Sequence, residues 1–217
     1  YQMKPAHAKG NIITDTSGKK YIDMLAGVAV NLLGYNDAKI NSAIFRQVKK
    51  YIHVNRLFYN EQGEKLARLI MKNSFAKMVY FVNTGAEATE VAVKLARKWG
   101  VLNKNGAYKV ITFENSFHGR TIAALTATAQ KKFHKYIKPL APGFVYAKFN
   151  DIDSVRKKMD AKTAAVLIEP IQAEGGVNVA GALFMKKLAA LCAAKKVLLM
   201  VDEVQTGLGR TGKTFAY

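Results

Sequence analysis

The sequence predicts an α/β fold built on a mostly parallel sheet, and three observations predict it. From about residue 78 onward, short apolar runs alternate with stretches of helical periodicity, the pattern of repeated strand–helix–strand units with helices on both faces of a sheet. Nearly every apolar run is followed at once by polar sequence rich in Gly, acids and amides: NTGAE, ENSFHGRT, ND, EPIQAEGG and DEVQTG. The 217 residues are half hydrophobic, with 11 Phe and 10 Tyr, enough for the core of one large domain or of one and a half ordinary ones.

In chain order, the first part has β character. Asn11–Asp15 and Lys20–Leu25 flank the turn residues Thr16-Ser17-Gly18, as in a hairpin. A helix is predicted over Ala38–Ile52, where Ile40, Ile44, Val48 and Ile52 recur every four residues. A second is predicted over Glu61–Asn73, with Leu66, Leu69 and Ile70 on one side. Strands follow at Met78–Val82, Tyr108–Phe113, Phe144–Phe149, Ala164–Ile168 and Val197–Val201. Helices separate most of them: Glu87–Trp99, with Ala88, Val91, Ala92, Leu95 and Trp99 on one face, then Ile152–Met159 and Leu183–Ala194. Ligands of open parallel sheets bind at the carboxyl ends of strands. Successive strand ends that all carry functional side chains therefore predict one shared site.

Charge and composition narrow the function classes. The formal net charge of +19 brings nucleic acid into consideration. The lysines, however, form scattered doublets such as Lys49-Lys50, Lys157-Lys158 and Lys195-Lys196 along the whole chain. With no zinc-finger spacing or RNA-binding aromatic motif, they read as solvated helix faces that help gather anionic ligands, not as a nucleic-acid surface. No apolar run approaches the roughly 18–20 residues of a membrane span, and Tyr1–Gly10 lacks the apolar segment of a signal peptide. Cys192 is the single cysteine, which excludes an internal disulfide and sets the expectation of a reducing, cytoplasmic location.

One short motif invites a different reading. Gly207–Thr214 fits the phosphate-loop pattern G-x-x-x-x-G-K-[ST], just after an apolar run ending in Asp202-Glu203. A phosphate loop needs its glycines directly after a strand and a helix directly behind its Lys-Thr. Here Glu203–Thr206 intervene, Phe215-Ala216-Tyr217 follow Thr214, and the acidic strand end precedes the loop. Gly207–Gly212 also matches G-x-G-x-x-G, but no acidic residue lies about 20 positions on. The nucleotide readings are set aside.

Taken together and in order, the strand-end motifs resemble those of the class III (ornithine-type) aminotransferases, which use pyridoxal phosphate. The resemblance rests on FVNTGAEATEVAVKLAR at 81–97, FENSFHGRT at 113–121, IEPIQAEGGV at 168–177, DEVQTGLGRTG at 202–212 and GKKYIDMLAGVAVNLLGY at 18–35. It spans essentially the whole chain. It implies the aspartate-aminotransferase fold type: an amino-terminal arm and part of the small domain over residues 1–45, then a large cofactor-binding domain over 46–217, incomplete at its carboxyl end.

The resemblance also implies roles for single residues. Pyridoxal phosphate accepts electrons through a protonated pyridine ring, and a carboxylate beside the ring nitrogen favours that form. Asp202 matches this acid. Glu203, Val204 and Gln205 complete the floor of the site, with Val204 on a ring face and Gln205 near the ring hydroxyl. Thr84, Gly85 and Ala86 match the phosphate cradle, where a helix amino terminus meets the dianion. Phe117 matches the aromatic that stacks on the ring. Arg120 matches the arginine that takes the substrate α-carboxylate, a task suited to its fork. Glu169 matches an acid behind the cofactor, Glu174 the glutamate that gates substrate choice. His118 is read as loop structure. Thr89, Ala173 and LGYNDA at 33–38 depart from the family's usual residues.

No lysine in the chain matches the covalent cofactor anchor; Lys213 is too close to Asp202, so the anchor is expected beyond Tyr217 and the chain by itself is expected to be inactive. The implied reaction is reversible amino transfer from N-acetylornithine to 2-oxoglutarate in arginine biosynthesis. Ornithine, succinylornithine or 4-aminobutyrate are the alternative donors, and a non-catalytic truncated module is the alternative of another class. The family implies a homodimer, with HVNRLFYN at 53–60 near the shared interface.

Overall fold

The computed structural model describes residues 2–55 and 57–217; Arg56, inside the 53–60 segment, lies outside the described residues, as does Tyr1. The chain packs as two compact units, Tyr1–Val79 with Leu208–Thr214, and Tyr80–Gly207 with Phe215–Tyr217.

The first unit opens with an antiparallel meander, β1 (Pro5–Lys9), β2 (Ile12–Asp15) and β3 (Lys20–Ile22). The β2–β3 turn is the predicted one. Asp15 organises it: its Oδ1 accepts the Ser17 and Lys19 N–H groups at 2.9 and 3.0 Å, and its Oδ2 accepts the Tyr21 hydroxyl at 2.9 Å. These bonds, the Ser17 hydroxyl's first, hold the Asp15 carboxyl down at about 2. The single turn α1 (Ala26–Ala29) takes left-handed φ angles of 50 to 66°. Helices α2 (Ala38–Val48) and α3 (Glu61–Lys72) start where Asp37 and Asn60 accept two backbone N–H groups each, the N-cap arrangement. Thr14 is the only buried residue among those described in this unit. The four-residue spacing of Ile40, Ile44 and Val48 thus makes a stripe that is left open, Ile44 being 54% exposed.

Met78–Val82, predicted as a strand, is not one. A strand exists through its ladder, and this apolar run pairs with no neighbour among the described residues; Met78 and Tyr80 are 88% and 70% exposed.

The second unit is the predicted parallel α/β layer. It begins with α4 (Gly85–Asn103) and continues through β4 (Lys109–Phe113), α5 (Ile122–Ala127), α6 (Lys131–His134), β5 (Phe144–Ala147), α7 (Ile152–Lys158) and β6 (Thr163–Ile168). A small hairpin, β7 (Ile171–Gln172) and β8 (Asn178–Val179), precedes α8 (Ala182–Ala194) and β9 (Leu198–Val201). The sheet order is β5-β4-β6-β9, every pair parallel. All six residues of β6 are buried, as expected of a strand covered on both faces.

Side-chain alternation divides the core in two. Ile111, Phe113, Val166 and Ile168 pack with Val155 of α7 and with Phe184, Leu188 and Cys192 of α8. Val110, Ala165 and Leu167 pack on the opposite face with Ala96 of α4 and Ala127 of α5. Phe113 anchors the first layer, meeting Phe149 and Phe184 edge-on at 5.8 and 5.9 Å.

This arrangement positions the site. The chain leaves β4 through α5 on one face and leaves β6 through α8 on the other. Adjacent strands whose connections depart on opposite faces open a crevice at their carboxyl ends, where open α/β sheets bind ligands.

Candidate active site

The carboxyl ends of β4, β6 and β9 and the amino terminus of α4 converge, and particular bonds join them. Asp202 follows β9 directly, and its N–H donates to Ile168 O at 2.7 Å, prolonging the ladder by one residue. Its Oδ1 accepts the Val204 N–H at 3.0 Å, and its Oδ2 lies 2.7 Å from His118 Nδ1. Both side chains are withdrawn from water, at 0% and 9% exposure for His118 and Asp202. A carboxylate only accepts, so the shared proton belongs to Nδ1. His118 Nε2 is then a buried polar atom without a partner among the described residues.

The loop Asn115–Arg120 that carries His118 is held on several sides. Thr89 of α4 donates its hydroxyl to His118 O at 2.8 Å, and His118 N–H donates to Thr128 Oγ1 at 2.8 Å. Ser116 donates to Ala127 O, and Gln130 Nε2 donates to Ser116 O, each at 3.0 Å. Phe117 N–H donates to Glu169 Oε2 at 3.0 Å, spanning β4 and β6.

Glu169 is 8% exposed. Burial pushes its carboxyl up to about 8, with Asp202 and Glu174 adding to the rise and the Phe117 N–H opposing it. At neutral pH Glu169 is therefore mostly protonated, and the crevice holds Asp202 without a second full anion against it.

Helix α4 brings its first turn to the same place. Thr84 Oγ1 accepts the Glu87 N–H at 3.1 Å, and Glu87 Oε2 accepts the Asn83 N–H at 2.6 Å, close to a capping box. The N–H groups of Gly85 and Ala86, first in the helix, make no such bond among the described residues. They are orphan donors of the kind that bind anions. A Cβ on Gly85 would stand 2.8 Å from Val204 Cγ1, and one on Gly119 would stand 2.9 Å from Ala86 Cβ. Glycine at these positions lets the helix terminus sit against both the Asp202–Gln205 turn and the His118 loop. A cleft of ≈ 240 Å³ opens beside them, lined in part by Thr89, Leu167, Met200, Asp202 and Val204.

The structure thus brings together Thr84, Gly85, Ala86, Phe117, Glu169, Asp202 and Val204. Gln205 is half-buried in the same turn. Glu203 is turned to other work: its carboxylate accepts the Ala216 and Tyr217 N–H groups at 2.7 and 3.0 Å and the Thr206 hydroxyl at 2.8 Å. Glu174 is exposed in the β7–β8 loop, and Arg120 is exposed with its guanidinium 4.1 Å from the Phe133 ring centroid. Neither makes a hydrogen bond or ion pair to Asp202 or His118 among the described residues. Sequence reasoning missed the part of His118: a lone histidine in a loop gives no sign of an acid 84 positions away. The phosphate-loop motif has no phosphate-loop structure. Gly207–Thr214 is a run of turns and bends closed by Leu208 N–H to Thr214 O at 2.6 Å, and no helix starts behind it among the described residues.

The donor set fits pyridoxal phosphate. It offers free N–H groups at a helix terminus for a phosphate dianion, a withdrawn carboxylate for a ring nitrogen, and an aromatic and a valine for the ring faces.

Comparison with known proteins agrees. The class-III aminotransferase family model matches residues 2–217. The acetylornithine aminotransferase of Aquifex aeolicus is 50% identical over 217 residues, which is 99% of this chain and 57% of that protein. Among solved structures, ornithine aminotransferase from Toxoplasma gondii has a TM-score of 0.95 at 35% identity, covering 100% of this chain and 52% of its own. N-acetylornithine aminotransferase from Stenotrophomonas maltophilia has a TM-score of 0.85 at 37% identity, covering 99% and 54%. The chain spans little more than half the length of the relatives it matches. It belongs to the class-III aminotransferases, a family dependent on pyridoxal phosphate.

Proposed function

We propose that this chain carries the cofactor cradle and substrate arginine of an aminotransferase that moves an amino group from N-acetylornithine to 2-oxoglutarate, a step of arginine biosynthesis. The His118–Asp202 pair carries the reading, because it orients a carboxylate at the strand end, in the turn whose Val204 lies against Gly85 at the start of α4. When bound, pyridoxal phosphate supplies an electron sink for the carbanion left by proton removal. Gly85 and Ala86 would hold its phosphate through their N–H groups, in a helix start capped by Thr84. Asp202 holds a proton at the ring nitrogen, kept in line by the His118 N–H. Phe117 and Val204 would flank the ring and exclude water, and Gln205 would serve its hydroxyl. Glu203 supports this floor from behind through its bonds to Thr206, Ala216 and Tyr217.

Glu169, protonated, orients Phe117 through the backbone. Arg120 receives the α-carboxylate, and Glu174 governs which donor is admitted. No lysine of the 217 residues is proposed for the proton-carrying role. Residues 1–45 are assigned to the arm and small domain and 46–217 to the large domain. A cytoplasmic homodimer is the proposed assembly, with Leu57, Phe58 and Tyr59, which are 84%, 69% and 97% exposed, near its interface. The name of the 50%-identical relative supports the donor assignment.

The test is a chimera that joins this chain to the remaining carboxyl-terminal part of the Aquifex aeolicus relative. It is expected to transaminate N-acetylornithine with 2-oxoglutarate in preference to ornithine or 4-aminobutyrate, and Asp202→Asn is expected to abolish this. A folded chimera that transfers from none of these donors, or that is indifferent to Asp202→Asn, contradicts the reading.

A further inference from the structure

We propose that Phe133 is a positioning residue that sets carboxylate recognition by holding Arg120, and that it braces Phe117 with the same ring. The inference rests on the reading of Arg120 given above. Arg120 lies at the end of the His118 loop and is exposed, with no hydrogen bond or ion pair to an acidic side chain among the described residues. A long side chain in that situation samples many rotamers, and fixing it on a ligand costs entropy. Its orientation here comes from a ring. The guanidinium carbon stands over the Phe133 ring, 4.1 Å from its centroid, against 6.0 Å from that of Phe117. Stacking suits a planar, weakly hydrated guanidinium and leaves its in-plane N–H donors free for a carboxylate.

The same Phe133 ring meets Phe117 at 6.0 Å between centroids and 72° between planes, a favourable edge-to-face contact. Phe133 comes from α6, a one-turn helix outside every motif that marks the site in the sequence. Gln130, just before α6, donates to Ser116 O at 3.0 Å, and His134 Nε2 lies 3.0 Å from Leu125 O. The ring is therefore fixed on both sides in sequence and is pre-organised before any ligand arrives. Lys132 Nζ lies 4.8 Å from the same centroid.

The experiment follows the Arg120 Nε–H resonance of the 217-residue chain by NMR while glutarate, a dicarboxylate, is titrated. Reading one assigned resonance keeps binding elsewhere on a chain of net charge +19 out of the measurement. Wild type is expected to show an Arg120 signal displaced by the ring current and a saturable response to glutarate. Phe133→Leu is expected to lose the displacement and weaken the Arg120 midpoint about fivefold, the scale of a half-exposed cation–π contact. Phe133→Tyr is expected to keep both within about twofold, a rescue that a merely space-filling residue would not require. A responsive Arg120 with the same midpoint in wild type and Phe133→Leu overturns this proposal alone. An Arg120 that ignores glutarate in the wild-type chain overturns both it and the reading of Arg120 on which it rests.

Discussion

Adding one methyl group at Gly85 probes the junction on which the site depends. The Cβ of Gly85→Ala would stand 2.8 Å from Val204 Cγ1 and 3.1 Å from Cγ2. Carbon atoms rest at about 3.5–4.0 Å, so Val204 must retreat by roughly 0.7 Å or more. Val204 is 66% exposed and has room to do so. Alanine is also the better helix former by about 0.5–1 kcal/mol. The two effects oppose each other, and the unfolding free energy in urea is expected to change by less than about 1 kcal/mol.

Ligand affinity is expected to behave differently. Moving Val204 and the helix terminus apart displaces both a ring face and the phosphate donors, and pyridoxamine 5′-phosphate is expected to bind about tenfold more weakly, or ~1.4 kcal/mol. Val204→Ala removes both clashing carbons. The double variant is therefore expected to regain much of the lost affinity, with a coupling on the order of 1 kcal/mol. Calorimetric titration of the four proteins closes the cycle. Additive losses with no coupling would refute the claim that these two residues meet across the site.

Two further outcomes follow from burial. Glu169 has a folded value of about 8 against an ordinary 4.5, so the native state keeps a proton that the unfolded chain releases between those values. Stability is then highest below pH 4.5 as far as this group is concerned and falls as pH rises toward 8, by at most about 5 kcal/mol. Urea midpoints at pH 5, 7 and 9 are expected to show this slope flattened in Glu169→Gln; parallel curves would be against it. Phe113 is 0% exposed and wedged between Phe149 and Phe184. Phe113→Ala is expected to cost about 3–5 kcal/mol in the same assay, and a loss under 1 kcal/mol would mean that the layer is not packed as described.

The parallel sheet was legible because its central strands β4 and β6 are buried on both faces and so read as continuous apolar runs, as in Thr163–Ile168. Helices were legible where apolar residues recur on one face, as Ile40, Ile44 and Val48 do in α2 and Leu66, Leu69 and Ile70 in α3. Elements held by context were not. The β1 sequence PAHAK has little apolar character and is a strand only because β2 pairs with it. Met78–Val82 is the converse, an apolar run with no ladder among the described residues. The short β7–β8 hairpin lies hidden in a Gly-rich motif, and α5, IAALTA, is too short and too uniformly apolar to show a helical period.

The site divided in the same way. Motif order pointed to the residues at the strand ends, whereas the partners that hold them did not stand out. His118 depends on Asp202, Thr89 and Thr128, and Arg120 depends on Phe133; these contacts arise from the crossing of α4, α5 and α6 over the strand ends. Glu203 shows the reverse, an acid inside a motif whose carboxylate the structure spends on its own turn.

The strand ends and the start of α4 are proposed to form one cofactor site. The most direct test is NMR titration of the 217-residue chain with pyridoxamine 5′-phosphate, which has no aldehyde to react with surface lysines. Weak, saturable shifts clustered at Thr84–Ala86, Phe117–His118 and Asp202–Gln205 are expected, with the affinity lowered at least tenfold in Asp202→Asn, or ~1.4 kcal/mol. Shifts scattered over the lysine-rich surface, or a response unchanged by Asp202→Asn, would contradict it.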